Sequence, residues 1–340
     1  MVKERNHWLD NSKFFLIFLV ILGHCFDKLG EGNVCYSVNS AMYFFRMPLF
    51  IFLSGLFSKK IEWERFWPWI FGVIETYLIF TLLQIIPGFI LGKSVPLEYF
   101  FVPRWTLWYL LSLCLWRFGV QLFGGLLSPT WFLIISILIG LISGFIPIGP
   151  LLSLQRTLTF APFFALGYYC GRNRIDLNFI KRIPLWLSIF IVAILFISVF
   201  LIESSRLGDF PLIPFLRGMY GFSYFPEYSP ILLVVLRLVS YAISIVVSVC
   251  VLRMVPYNES WLSKQGLDTL FYYVYHPLLI ICIGASIGKV FNLPSSFLAV
   301  LVYAVIVTVV IWLMLRLRFF RILPRLISKS YSFLFAKGRS

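Results

Sequence analysis

Charged side chains are scarce in this sequence. Only 13% of its 340 residues are Asp, Glu, Lys or Arg, whereas 60% are hydrophobic and the mean hydropathy is +0.92. A soluble domain of this size needs more charge at its surface, so the composition excludes one and predicts a polytopic membrane protein. The 37 Phe and 11 Trp residues suit contact with lipid and with its interfaces.

Residues that bind metals or form disulfides are also few. The six cysteines include no CxxC spacing and fall mostly in apolar runs, which predicts small buried hydrophobes. With three histidines and no HExxH pattern, we expect no metal site. We expect no cleavable signal peptide, because Asp27 and Lys28 follow the first apolar run without a small-residue cleavage site.

The formal net charge of +15 would by itself suit a nucleic-acid partner. The basic residues lie in short segments between apolar runs, however, where Lys and Arg orient the spans of a membrane protein. We therefore expect membrane lipids and no nucleic acid as partners. With the N-terminus in the cytoplasm, most of these residues fall inside, which predicts an even number of spans and both termini cytoplasmic.

Apolar runs long enough to cross a hydrocarbon core of about 30 Å recur along the whole chain. They predict an all-α, multi-pass protein of about ten transmembrane helices. No internal repeat or soluble segment interrupts them, so residues 1–340 are expected to form a single transmembrane domain. The predicted spans are residues 13–30, 39–58, 67–91, 105–124, 131–148, 158–172, 183–202, 230–253, 270–290 and 295–317.

The first span carries two ionisable side chains on one face. Lys13 and His24 are eleven residues apart, which at about 100° per residue is about 20° past three full turns. The rise of about 16 Å predicts Lys13 at the cytoplasmic boundary and His24 near mid-membrane. Asp10 falls on the stripe of Lys13.

An ionisable group at membrane depth is costly and marks a functional site by default. His24 suits removal of a proton from an attacking hydroxyl, because a neutral imidazole accepts one near pH 7. The alternative is a histidine that is hydrogen-bonded across helices for packing.

Two later spans also carry polar groups at membrane depth. Arg46 in the second span would stabilise a developing oxyanion or, alternatively, form an ion pair with Glu75. Pro48 is expected to bend that span. His276 lies among tyrosines, and Pro277 leaves a helix carbonyl without its donor, which predicts a polar cavity or, alternatively, a kinked and packed helix.

Residues at the predicted boundaries allow two interpretations each. Aromatic residues that open the fourth span form either an interface belt or a stacking surface for a sugar ring. Basic residues after the second span either set the topology or bind phosphates of a cytosolic donor. The aromatic residues are Trp105, Trp108 and Tyr109, and the basic residues are Lys59, Lys60 and Arg65.

Four sequence blocks follow one another in a recognisable order. They are WLDNSKFFLIFLVILGH (8–24), FRMPLFIFLSG (45–55), RTLTFAPFFALGYYCG (156–171) and GLDTLFYYVYHPLL (266–279), with TLWYLLSL (106–113) as a weaker fifth. Together they resemble the acyltransferase-3 superfamily of integral membrane O-acyltransferases, in its fucose 4-O-acetylase-like branch. The resemblance covers nearly the whole chain.

The resemblance implies ten spans, a cytosolic acyl-coenzyme A donor and a carbohydrate hydroxyl as acceptor. Lys13 and His24 fit the first-helix motif of that superfamily, a basic residue, ten residues and a histidine. Many members have Arg at the first position, so the bidentate fork of a guanidinium is lost here. Many members have His where Arg46 stands, and an arginine does not act as a base at neutral pH.

We therefore expect an O-acetyltransferase of the bacterial inner membrane that uses acetyl-coenzyme A (acetyl-CoA). Its acceptor would be a surface polysaccharide or the lipid-linked precursor. His24 is the expected general base, while Asp10 and Lys13 orient the start of the helix and the donor. Arg46 is expected to stabilise the oxyanion. An acetyl-His24 relay is an alternative mechanism, and a glycan or lipid exporter without acyl transfer is the alternative function.

The acceptor is expected to bind at several places along the chain. Arg156, Tyr275 and His276 are expected to contact it, together with the aromatic residues of the fourth span. The outside segment 203–229 is a further candidate, because it is too rich in aromatic residues and Pro to be a plain linker.

Overall fold

The computed structural model describes residues 6–90, 97–103, 105–205, 210–283, 294–317 and 320. All regular structure within these ranges is helical, which confirms the predicted all-α class. The α-helices are α1 (His7–Leu29), α2 (Gly32–Tyr43), α3 (Arg46–Leu56), α4 (Trp63–Ile90), α5 (Trp108–Phe123), α6 (Pro129–Ile142), α7 (Leu154–Arg172), α8 (Leu185–Ser204), α9 (Leu212–Leu216), α10 (Pro230–Met254), α11 (Trp261–Gln265), α12 (Thr269–Cys282) and α13 (Phe297–Met314).

Within the described ranges, five helices are long and apolar enough to cross a membrane. They are α1, the Trp63–Ile86 part of α4, α8, α10 and α13. Helices α5, α6, α7 and α12 coincide with other predicted spans, but they are 14 to 19 residues long and shorter or less apolar. The count of ten and the cytoplasmic termini stay predictions. Residue 91 of the third predicted span and residues 284–290 of the ninth lie outside the described residues.

The second predicted span, 39–58, is wrong as one helix. The chain forms α2 and then α3, with a break at Phe44 and Phe45. Pro48 explains the break, because a proline ring clashes with the carbonyl four residues earlier and has no N–H to donate. Those defects are tolerated in the first turn of a helix, and Pro48 is the third residue of α3. Pro48 therefore starts a new helix instead of bending a continuous one.

The described chain divides into two compact units that alternate along the sequence. Unit 1 comprises Met1–Leu29, Ile61–Cys114 and Pro256–Ser340, and unit 2 comprises Gly30–Lys60 and Leu115–Val255. In unit 1, α1 packs against α11, α12 and α13, and α12 packs against α4. In unit 2, α7 packs against α3 and α6, and α8 packs against α2 and α10. Of the six cysteines, five are buried as expected and Cys282 is exposed.

The contact of α3 with α7 depends on glycines. Gly55 of α3 lies against the backbone carbonyl of Phe164, and Gly167 of α7 lies against that of Phe52. Gly171 repeats the contact one turn further along α7. A Cβ atom at any of these glycines would overlap the facing backbone. Small residues four apart therefore bring the two helices to backbone contact, as they do between membrane helices generally.

We expect the substitution Gly167→Ala to destabilise the protein. The added methyl group collides with backbone that cannot rotate away, and such overpacking costs about 1–3 kcal/mol. Gly119→Ala is the matched control, because the nearest atom to its new Cβ is 4.0 Å away. Thermal unfolding of the detergent-solubilised protein measures both. Equal melting temperatures for the two variants would contradict the proposed role of the contact.

Candidate functional site

The side chain of His24 lies in an aromatic cluster within unit 1. Its ring stacks on that of His276, with 5.4 Å between centroids and 19° between planes. The ring of Trp105 meets it edge-on, with centroids 4.9 Å apart. The structure thus brings together two histidines that are 252 residues apart in the sequence. Two imidazoles in contact provide two proton-transfer groups in one place.

Asp27 lies beside the His24 imidazole. Nδ1 of His24 lies 3.4 Å from a carboxylate oxygen of Asp27, and the two side chains are 13% and 8% exposed. A carboxylate beside one ring nitrogen favours the proton there, which leaves a lone pair on Nε2. The contact is within ion-pair distance but lacks the geometry of a hydrogen bond, and contacts of this kind often tighten only when substrate binds. Sequence reasoning missed Asp27, although its position three residues after His24 on a helix was the available signal.

His276 is also oriented by its own helix. Its side chain is 0% exposed, and Nδ1 lies 2.9 Å from the backbone carbonyl oxygen of Tyr272. A carbonyl only accepts, so this contact assigns the proton to Nδ1 and a lone pair to Nε2. Nε2 has no hydrogen-bond partner among the described residues. His276 therefore presents an acceptor atom beside the ring of His24.

The side chain of Tyr275 lies away from His276, and its contact with an acceptor stays a prediction. Its ring packs edge-on against Phe80, and its hydroxyl donates to the carbonyl of Phe320 at 3.1 Å. The physical reason is that adjacent residues point about 100° apart around a helix. Tyr273, three residues before His276, takes the expected place with its ring 6.1 Å from that imidazole.

The aromatic residues of the fourth predicted span join this cluster. Tyr273 donates its hydroxyl to the carbonyl of Thr106, and its ring meets that of Tyr109 at 5.5 Å. Trp108 and Tyr109 are buried, whereas rings of an interface belt would be exposed to the membrane boundary. The burial of Trp108 and Tyr109 therefore favours a role at the site over a place in an interface belt.

Trp105 has an unusual backbone. Its φ of 47° lies in the left-handed region, where a bulky residue is strained. Its indole contacts the His24 ring, and Nζ of Lys28 lies 5.5 Å from the indole centroid. Strain held at a ring that touches an imidazole is typical of functional sites.

An ion pair lies at the start of α1. Nζ of Lys13 donates to a carboxylate oxygen of Asp10 at 3.1 Å, which confirms that the two residues share a stripe. His24 follows on the same uninterrupted helix.

Asn11 joins α1 to the segment that leads into α12. Its side chain is 0% exposed, and Nδ2 donates to the carbonyl oxygens of Pro256 at 2.8 Å and Asn258 at 2.9 Å. Its Oδ1 accepts from the hydroxyl of Ser260 at 2.7 Å. A few residues on, Gly266 lies against the backbone of Asp10. These contacts fix the register of α12 along α1, and with it the height of His276 relative to His24.

Arg46 belongs to unit 2. It is 1% exposed, and Nη1 donates to Oδ1 of Asn39 at 2.9 Å. Its guanidinium carbon lies 3.9 Å from the centroid of the Tyr43 ring. Glu75, the alternative ion-pair partner, is an exposed residue of unit 1.

The remaining predicted residues lie in different parts of the fold. Arg156 of unit 2 is half-buried and contacts the sulfur of Met219 at 3.1 Å. Lys59 and Lys60 of unit 2 are exposed. Arg65 of unit 1 is exposed and paired with Glu62 at 3.2 Å. The exposure of all three basic residues is compatible with either topology or donor binding.

Segment 203–229 is folded where it is described, and residues 206–209 lie outside that part. It contains α9 and a cluster of aromatic rings around Phe210, Phe215 and Phe225. Tyr220 and Tyr224 stack at 4.0 Å and 9°, with Tyr224 half exposed. The segment therefore presents a flat aromatic surface.

A protein-family model matches nearly the whole chain. The model of a family described as an acyltransferase domain, of the acyltransferase-3 type, matches residues 6–316. No curated protein and no solved structure matches the chain. The family match extends over both units described above.

We expect Asn11→Ala to destabilise unit 1. The substitution removes three part-buried hydrogen bonds, to the carbonyls of Pro256 and Asn258 and from the hydroxyl of Ser260, each of which contributes about 0.5–1.5 kcal/mol. Ser12→Ala is the control, since that buried hydroxyl only donates to the Trp8 carbonyl within α1. Hydrogen exchange measured by mass spectrometry should show faster exchange in 256–266 for Asn11→Ala alone. Unchanged exchange in 256–266 would contradict the role of Asn11 in joining α1 to this segment.

Proposed function

The chain belongs to the acyltransferase-3 family of membrane acyltransferases, and from this membership we propose that it is an O-acetyltransferase. The proposed donor is acetyl-coenzyme A, and the proposed acceptor is a hydroxyl of a bacterial surface polysaccharide or its lipid-linked precursor. The contact of His24 with Asp27 and His276 carries the proposal. A place in the inner membrane, ten spans, cytoplasmic termini and the fucose 4-O-acetylase-like branch belong to the same proposal.

In the proposed first step, Nε2 of His24 takes the proton of the sugar hydroxyl. The hydroxyl oxygen attacks the carbonyl carbon of the acetyl thioester at the same time, because removal of the proton makes it nucleophilic. Asp27 holds the ring and stabilises the imidazolium that forms. His276 keeps the ring in place by stacking and offers Nε2 as a hydrogen-bond acceptor for the sugar.

In the second step, the tetrahedral intermediate collapses. The carbon–sulfur bond breaks, the carbonyl re-forms on the new ester, and the imidazolium of His24 gives its proton to the departing thiolate. Coenzyme A and the O-acetyl sugar are the products. Arg46 is the proposed stabiliser of the oxyanion, since a fixed cation at developing negative charge is the strongest single aid to acyl transfer.

Other residues are proposed to bind the two substrates. The Asp10–Lys13 pair would orient the donor at the start of α1. Lys59, Lys60 and Arg65 would contact the coenzyme A phosphates. Trp105, Trp108 and Tyr109 would form the wall beside the sugar, with Arg156 as a further contact.

We expect His24→Ala to abolish acetylation at matched protein level, because the hydroxyl then lacks its base. The measurement is the O-acetyl content of the host's surface glycan by NMR, in a gene deletion complemented with each variant. His7→Ala is the control, since this third histidine lies outside the cluster. Full rescue by His24→Ala would overturn the mechanism while keeping the enzyme. Normal acetylation in the deletion with less glycan at the surface would favour the exporter.

We expect Asp27→Asn to lower kcat at least tenfold with little change in KM. The amide keeps the size of the side chain but removes the charge that stabilises the imidazolium, and one general-base group contributes about 10²–10⁴-fold. Purified protein, acetyl-coenzyme A and the acetylated glycan class found by NMR give the rate constants. A change in KM alone would assign Asp27 to substrate binding instead.

A further inference from the structure

Arg237 is a buried cation that the proposed mechanism does not use. It is the eighth residue of α10, about 10 Å along that helix, and its side chain is 2% exposed. Nη1 donates to the carbonyl of Gly140 at 3.0 Å and lies 3.4 Å from the hydroxyl of Ser143. The ring of Phe222 lies 4.5 Å from the guanidinium carbon. All these groups are uncharged.

The opposite edge of the guanidinium is unused. The hydrogen bonds of Arg237 to described residues all come from Nη1, which leaves Nε and Nη2 for another partner. A guanidinium stays charged in proteins, and a charge at membrane depth is costly unless an anion or a polar group compensates it. Nε and Nη2 together form the edge that binds a carboxylate or phosphate through two parallel hydrogen bonds. Arg237 is therefore a buried cation whose Nε–Nη2 edge could bind an anion.

Arg237 lines a small, partly open cavity within unit 2. The space inside it that the centre of a water-sized sphere can reach is about 20 Å³, which is room for one small polar group such as an oxyanion and not for a whole sugar ring. Besides Arg237, its walls contain the hydroxyl-bearing residues Ser240 and Ser244 and the rings of Phe160 and Phe163. Hydroxyl groups and aromatic faces beside a cation suit the oxyanion group of a sugar better than a lipid tail, which needs no hydrogen bonds.

Tyr43 forms another wall of the cavity, and two further arginines contact its side chain. Nε of Arg217 donates to the Tyr43 hydroxyl at 2.9 Å, and Arg46 covers the ring at 3.9 Å. Three arginines are thus within one or two contacts of the same cavity. Their summed positive potential favours an anion inside it.

We propose that this cavity binds an oxyanion of the carbohydrate acceptor, a sugar carboxylate or a sugar phosphate, on the Nε–Nη2 edge of Arg237. The identification of the ligand as the acceptor rests on the proposed function. The oxyanion site itself does not, because it follows from the unused edge, the burial and the cavity. The protein would therefore select acidic or phosphorylated glycans over neutral ones.

The test measures binding to the full-length protein in detergent without any acyl donor. The probes are glucuronic acid, glucose 1-phosphate, inorganic phosphate and neutral glucose, with dissociation constants from microscale thermophoresis. We expect wild-type protein to bind at least one anionic sugar tenfold or more tightly than glucose. Arg237→Gln should remove that preference. Equal affinity for anionic and neutral sugars, or a preference retained by Arg237→Gln, would overturn the proposal.

Two further variants keep the test decisive. Arg237→Lys retains the charge but cannot form the bidentate contact. It should therefore fold and still lose at least tenfold in affinity for the anionic sugar. Arg253→Gln is the control, because Arg253 lies on the same helix but donates to the carbonyl of Ile183 at 2.7 Å, away from the cavity. Its preference for anionic sugars should equal that of wild type.

Two outcomes identify a different source of the oxyanion. If inorganic phosphate binds as tightly as the sugar anions, the site recognises a free anion. That result would overturn the assignment to the acceptor. Lipid nanodiscs supply the other comparison. If phosphatidylglycerol abolishes sugar-anion binding in wild type and phosphatidylcholine does not, a lipid headgroup occupies Arg237. Wild-type protein that binds a sugar anion but transfers no acetyl group to that sugar would count against the proposed function and leave this site standing.

Discussion

A polar group buried in a chain this apolar has to find its partner inside the protein, because lipid offers none. That constraint decides which segments lie together. Asn11 satisfies its amide on the segment before α11, and Gln155 donates to the carbonyl of Ser143 at 2.7 Å. Trp116 of α5 likewise donates to the carbonyl of Thr157 in α7 at 2.9 Å. Hydrophobic faces make the helices adhere, whereas these few directional bonds set their register.

Glycine packing and polar registration act together in placing the functional groups. Backbone contact between Gly55 and Gly167 fixes the height of α3 along α7, and Arg46 opens α3. A slip of one turn would move Arg46 by about 5.4 Å, so a contact made by residues without side chains positions a residue with a long one. In unit 1, Asn11 does the same for His276 through α12. Each site residue therefore depends on a packing residue that carries no chemistry of its own.

The sequence predicts what is local and misses what depends on which faces meet. Helical periodicity correctly pairs Asp10 with Lys13, since only the pitch of one helix enters. The same rule applied to His24 would have found Asp27. The break before Arg46 was within reach too, because Pro48 excludes a helix through Phe44. The sequence does not predict that Tyr273 rather than Tyr275 faces His276, because that depends on how α12 packs. The His24–His276 stack, between ends of the chain, follows from no periodicity at all.

The two units treat buried charge in opposite ways, and the difference follows from what each would bind. An imidazole that takes a proton becomes a cation, so a carboxylate such as Asp27 beside it stabilises the imidazolium that forms. A guanidinium that binds an anionic substrate gains from having no carboxylate nearby, because an internal anion would compete for the same edge. Arg237 makes its protein contacts to a carbonyl, a hydroxyl and rings, all of which hold the group without neutralising it. Acidic partners thus belong with proton transfer and neutral partners with anion binding, which makes the kind of partner a guide to the role of each buried ionisable residue in this chain.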